Sequence, residues 1–167
     1  NMPQGPAARV TDPVAHPLPP ILTPGPGSPN VLIGFLPAWR GIPLAAVAAL
    51  QSAKATADTA VKAAEAASTA AAGTPAGPAA KAAEEAAKAA ALAAMSGAIS
   101  SAGAGADIHL CTTPLPIPPH GPGVDITGSA TVMINNLPAG RMGDTILEAL
   151  GPQNTITKGE PTVIIGG

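Results

Sequence analysis

The sequence predicts a mainly β chain of three short repeated hairpin units, interrupted by an inserted α-helical hairpin. Two observations carry that fold class. Between Leu44 and Ala106 alanine fills 31 of 63 positions, whereas 19 of the 21 prolines lie outside this window, so the chain is built from two materials. The alanine-poor part repeats itself: Gly27-Ser28-Pro29-Asn30-Val31-Leu32-Ile33-Gly34-Phe35-Leu36-Pro37-Ala38-Trp39-Arg40 aligns without a gap to Gly128-Ser129-Ala130-Thr131-Val132-Met133-Ile134-Asn135-Asn136-Leu137-Pro138-Ala139-Gly140-Arg141, with eight identities in fourteen positions. Composition adds a constraint. With one Trp, one Phe and no Tyr, and only 33 Leu, Ile, Val and Phe in 167 residues, an aromatic core is excluded and something besides apolar burial must help hold the fold.

The first unit of organisation is therefore residues 1–43 joined to 107–167, the repeat part, and the second is the insertion at 44–106. A truncated third copy, Gly159-Glu160-Pro161-Thr162-Val163-Ile164-Ile165-Gly166, closes the chain. Each copy alternates Val-x-Ile between Gly, Pro and Asn, the pattern of a short strand followed by a turn. On this reading Val31, Ile33, Val132, Ile134, Val163 and Ile165 occupy equivalent inward positions. The three arginines share a further regularity, each ending a Pro-Ala-x-Arg tetrapeptide: Pro6-Ala7-Ala8-Arg9, Pro37-Ala38-Trp39-Arg40 and Pro138-Ala139-Gly140-Arg141. Proline fixes the turn and the arginine can pair with a carboxylate or with carbonyls, so the recurrence reads as a repeated structural clamp. Asp12 and Asp144 follow Arg9 and Arg141 at a distance of three residues, but Arg40 is followed by Gly41-Ile42-Pro43.

Alanine is the best helix former, and the prolines of the insertion, Pro75 and Pro78, sit in the turn-like stretch Gly73 to Pro78. The spacing predicts one helix over about Pro43 to Ala72 and a second over about Ala79 to Ile99, antiparallel because the connection is short. Because the insertion interrupts two parts that each carry repeat motifs, the remainder is expected to fold when the insertion is removed. The uncharged run from Ala89 to Ala106 is broken by Ser96, Gly97, Ser100, Ser101, Gly103 and Gly105, which argues for a water-facing hairpin over a membrane span.

A net charge of −2, with basic residues neither clustered nor interleaved with aromatics, points away from nucleic acid. No charged-then-apolar leader is visible, and Asn1 before Met2 reads as an extra residue ahead of the natural start. The chemistry-bearing residues are few. The single cysteine, Cys111, cannot form an internal disulfide and is left as a thiol, a nucleophile or a metal ligand.

At this point the Pro-Ala-x-Arg tetrapeptides, the first spelled Pro-Ala-Ala-Arg, together with the Gly-x-x-x-Val-x-Ile repeats, make the repeat part similar to the PAAR-repeat family of spike-tip proteins. The resemblance implies a small β cone with pseudo-threefold symmetry, a metal ion near its apex, and a flat base seated on the trimeric β-helical spike protein of a type VI secretion system or related contractile injection machine, one chain per trimer. It implies a structural, non-enzymatic protein that caps and sharpens the spike for membrane puncture, made in the bacterial cytoplasm, exported with the machine and meeting the target membrane only transiently. The resemblance covers the repeat part and none of the insertion. There a cargo effector or chaperone is the first expected partner, and an adaptor that anchors cargo through the hairpin is the alternative function.

The metal has its own argument in the residues. His16, His109, His120 and Cys111 all lie in proline-rich or extended stretches of the repeat part, four candidate ligands for four tetrahedral positions. His109 and Cys111, two apart on an extended segment, point to one side and can reach the same ion. Three imidazoles and a thiolate suit one structural zinc, with iron the weaker choice. The competing enzymatic reading takes Cys111 as nucleophile with a histidine base and Asp107 or Asp125 as carboxylate, but the proline-rich run Thr112 to Pro119 offers no accompanying pocket.

Overall fold

Alanine propensity is realised over most of the insertion. The computed structural model describes residues 3–16, 20–111 and 119–167. In it, helix α1 runs Leu44–Ala71 and helix α2 Gly77–Gly103. The second starts two residues earlier than expected because Pro78 occupies the first helical turn, where its missing N–H has no partner to lose. It also continues past Ile99 to end at Ala104, which takes the left-handed conformation. The two helices hold 28 and 27 residues, so the expected mainly β class is corrected to a mixed one, an α-helical hairpin on a set of small antiparallel sheets. Among the described residues no helix is long and apolar enough to cross a membrane.

The strands are short, as proline and glycine dictate. In chain order they are β1 (Gly5–Ala7), β2 (Pro24–Gly25), β3 (Leu32–Ile33), β4 (Leu36–Pro37), β5 (Ile108–Cys111), β6 (Gly121–Asp125), β7 (Met133–Ile134), β8 (Leu137–Pro138), β9 (Thr145–Glu148), β10 (Asn154–Thr155) and β11 (Glu160–Ile165). Two of the repeats form minimal hairpins in the same register, Leu32 opposite Pro37 in β3–β4 and Met133 opposite Pro138 in β7–β8. The third places Ile164 of β11 opposite Pro6 of β1, so the two ends of the chain build it together. Gly34 and Phe35, and at the matching positions Asn135 and Asn136, all have positive φ, the conformation a tight two-residue hairpin turn requires.

The clamps tie these hairpins into a closed arrangement. Arg9 donates from its backbone N–H and its guanidinium to Asp12, and Arg141 does the same to Asp144. Arg40 finds its carboxylate at Asp107, on the far side of the insertion, with its N–H at 2.8 Å and its guanidinium at 2.9 and 3.0 Å. The insertion therefore sits inside the second clamp, between the arginine and its aspartate. The residue before each arginine closes a ring: the Ala8 N–H donates to the Gly140 carbonyl, Gly140 N–H to Trp39, and Trp39 N–H to Ala8, at 3.0, 2.8 and 2.9 Å. One large side chain fits there. Trp39 is fully buried, and a Cβ on Gly140 would come within 3.1 Å of its ring.

Burial follows the repeat. Ile33, Ile134 and Ile165 are 7, 8 and 7% exposed and form one small core with Ala7, Ala38 and Ala139, while Val31, Val132 and Val163 pack half-buried against it. A second core holds Trp39, Val14, Leu22, Ile146, Ile156 and Ala8. The third is shared with the insertion: Leu50, Met95 and Ile99 of the helices pack on Val124, Ile126, Leu137, Leu147 and Ala149 of the repeat part. That sharing departs from the expectation that the remainder folds alone, since removing 44–106 would bare a buried apolar sheet face.

Candidate metal centre

The five-stranded sheet, ordered β10-β9-β6-β5-β2, has two unlike faces. Alternation along β9 sends Leu147 to the helices and Ile146 and Glu148 to the other side; along β5 it sends Ile108 to the helices and His109 and Cys111 away from them. Opposite His109 in the register is Gly123, where a Cβ would lie 3.0 Å from the Glu148 side chain. Glycine there makes room for the carboxylate.

On this second face four ligand atoms converge, from His16, Cys111, His120 and Glu148, all within 4.8 Å of one another. His16 Nε2 lies 3.1 Å from His120 Nδ1 and 3.4 Å from Cys111 Sγ, and Glu148 Oε2 lies 2.7 Å from His120 Nδ1 and 3.7 Å from His16 Nε2. Ligands bound to a tetrahedral zinc at about 2.0–2.3 Å stand about 3.3–3.7 Å apart, so the spacing suits one ion with little adjustment. Cys111 and the Glu148 side chain are fully buried, His16 nearly so, and His120 is the most exposed of the four. Burial works to raise the Glu148 carboxyl, but the neighbouring His109 and His120 imidazoles outweigh it and hold the group below its ordinary value. An ionised, thiol-flanked, imidazole-rich pocket of this kind can hold a metal ion.

His109 points to the same side as Cys111, as the two-residue spacing requires, but stands beside the converging four. Its Nδ1 lies 3.1 Å from the Ile21 carbonyl, which can only accept, so that nitrogen carries the proton. Its Nε2 then turns 3.4 Å from Glu148 Oε1, and both of these buried atoms lack a hydrogen-bond partner. The gap between these two buried polar atoms suits a positive centre, either a proton on Nε2 or a metal ion.

No family model, curated protein or solved structure matches the chain.

Glu148 is the candidate ligand that the sequence expectation missed, and a signal for it existed. His16, Cys111 and Glu148 each stand four residues after a clamp aspartate, Asp12, Asp107 and Asp144. Three of the four converging side chains therefore come from one position of the repeat, and the fourth, His120, comes from outside it. Asp107 had to be recognised as the aspartate of Arg40 before that rule could be seen. As for the candidate carboxylates of the enzymatic reading, Asp107 is engaged by Arg40 and by the Gly27 N–H, and Asp125 accepts from the Thr127 N–H at a buried position. The stretch after Cys111, residues 112–118, lies outside the described residues.

Proposed function

We propose that the chain is a structural tip piece of a type VI secretion or related contractile injection machine, a metal-pinned cone of PAAR type seated on a trimeric β-helical spike. The observation that carries this reading is a triad. Leu32, Met133 and Ile164, at one position of the three repeats, are 61, 50 and 56% exposed, although each is a large apolar side chain beside a buried isoleucine. Apolar groups left in water three times at equivalent places suit a partner that offers three equivalent apolar sockets, as a trimer does. Phe35, 95% exposed in the turn of the first hairpin, extends the same surface.

On this reading the mechanism is mechanical and needs no catalytic group. Closed rings of hydrogen bonds and buried clamps resist shear, and the metal cross-links segments far apart in sequence. The ion is zinc, held by His16, Cys111, His120 and Glu148 with no open position, and His109 stands beside it against Glu148. The hairpin offers an extra surface on one side only, where a cargo effector or chaperone would dock.

The test is reconstitution with a trimeric spike protein, with mass measured by light scattering. One chain per trimer is expected, weakened slightly by Leu32→Asp alone and abolished by Leu32→Asp, Met133→Asp and Ile164→Asp together. A folded triple variant that binds as the native chain does would overturn the docking face, and elemental analysis finding no metal would overturn the zinc.

A further inference from the structure

His120 is the one converging ligand not placed by the repeat, and residues of the helical insertion reach the glycines on either side of it. The His120 imidazole lies flat on Gly151, where a Cβ would meet ring atoms at 2.9 to 3.2 Å and where φ is +79°. The Gly151 carbonyl accepts from Lys54 Nζ at 3.0 Å, and Lys54, which also pairs with Asp58, is a buried lysine on α1. On the other flank, Gly121 follows His120 directly, and the Leu92 side chain of α2 lies 2.5 Å from where a Gly121 Cβ would stand. The Leu150 N–H donates to the His120 carbonyl and completes the cradle. Both helices thus reach the segment that carries this ligand, one through a buried ammonium and one through packing.

A buried lysine is costly unless its charge is used, and its far partner here is a lone carbonyl in the loop under His120. We infer that the root of the helical insertion is a positioning device for the metal centre: Lys54 and Leu92 fix His120 in its ligating place, so that docking of the hairpin and binding of the ion strengthen each other. The inference rests on the metal-centre reading above but not on the identity of the spike partner. Thermodynamic linkage makes the coupling reciprocal, so whatever loosens the root weakens the metal, and whatever binds the ion tightens the root. The insertion thereby gains a role that its alanine composition does not reveal.

The experiment is zinc affinity of the full chain by chelator competition, for the native protein, Lys54→Met, Leu92→Ala and, as a control one turn further from the root whose partners Glu65 and Glu84 lie in the distal hairpin, Lys88→Met. Residues that orient a metal ligand from outside typically change affinity by about 10- to 100-fold, and Lys54→Met and Leu92→Ala are expected near the lower figure. Lys88→Met should loosen the distal hairpin and leave affinity unchanged, which a merely stabilising role for the helices would not allow. Amide exchange on the native chain supplies a second readout that needs no variant. Zinc should slow exchange over 50–57 and 92–99 more than over 62–70 and 77–85. Unchanged affinity in folded Lys54→Met and Leu92→Ala, or zinc protection no greater at the root than at the distal end, would overturn the coupling alone. A native chain that takes up no zinc would overturn the metal centre with it.

Discussion

The repeat part and the distal half of the helical hairpin are held together by opposite means. In the repeat part the decisive contacts join residues far apart in sequence: His16 to His120, Arg40 to Asp107, Arg9 to Glu160, and the ring of Ala8, Trp39 and Gly140. In the distal hairpin many of them are local. Lys81 and Lys88 flank Glu84 three and four residues away, and the hydroxyls of Thr59 and Thr69 bond back one turn along α1. The ion pair from Lys88 to Glu65 crosses between the helices. A chain with few large apolar residues can thus be stable by two routes: cross-links that close long loops, or helix propensity summed residue by residue. The root of the hairpin belongs to the first regime although its sequence belongs to the second.

Breaking the clamp that contains the insertion should show the difference most strongly. Arg40→Met leaves Asp107, fully buried, without its counter-charge, and a loss of about 3–5 kcal/mol is expected from thermal or denaturant unfolding. Arg9→Met, at a more exposed clamp, should cost less. Equal losses at the two sites would mean that burial does not rank the clamps.

Acid sharpens the comparison from the helical side. Hydrogen bonds from Lys88 and Lys81 hold the Glu84 carboxyl down to about 2, from an ordinary 4.5. A carboxyl lowered on folding stabilises above its unfolded value and loses that contribution as the pH falls through its folded one. Protection of the distal hairpin should therefore fade between about pH 4.5 and 2. Amide exchange resolved by segment would show it, and Glu84→Gln should remove this dependence.

The smallest effect is expected at a buried acid pair in the repeat part. Burial, and then the charge of Asp144, push the Asp125 carboxyl well above its ordinary value, and burial raises Asp144 as well. Here the sign reverses: an acid raised on folding favours the fold at low pH and loses that contribution as pH rises. Asp125→Asn keeps the acceptor for the Thr127 N–H and removes the charge, so it should stabilise the protein at neutral pH by roughly 1 kcal/mol. Destabilisation at pH 7 in a melting experiment would show that the ionised form is the one the fold uses.

The sequence by itself determined the parts that depend on local rules. Alanine density and Pro78 set the helical hairpin, because propensity and proline geometry act within one turn. The Val-x-Ile alternation set which face each repeat strand buries, since side chains alternate along any strand. The two-residue spacing put His109 and Cys111 on one side for the same reason. Tertiary structure alone decided what depends on distance in space. It supplied Asp107 as the partner of Arg40 across the insertion, and with it the rule that brings His16, Cys111 and Glu148 to one point. It turned a hairpin readable as detachable into one whose root, through Leu50, Met95 and Ile99, closes the repeat core. It also placed Lys54 under the loop of His120. No local rule reaches across such separations, because burying a carboxylate or an ammonium is costly until it is paired, and the groups that pair with it stand on segments that only the folded chain brings together.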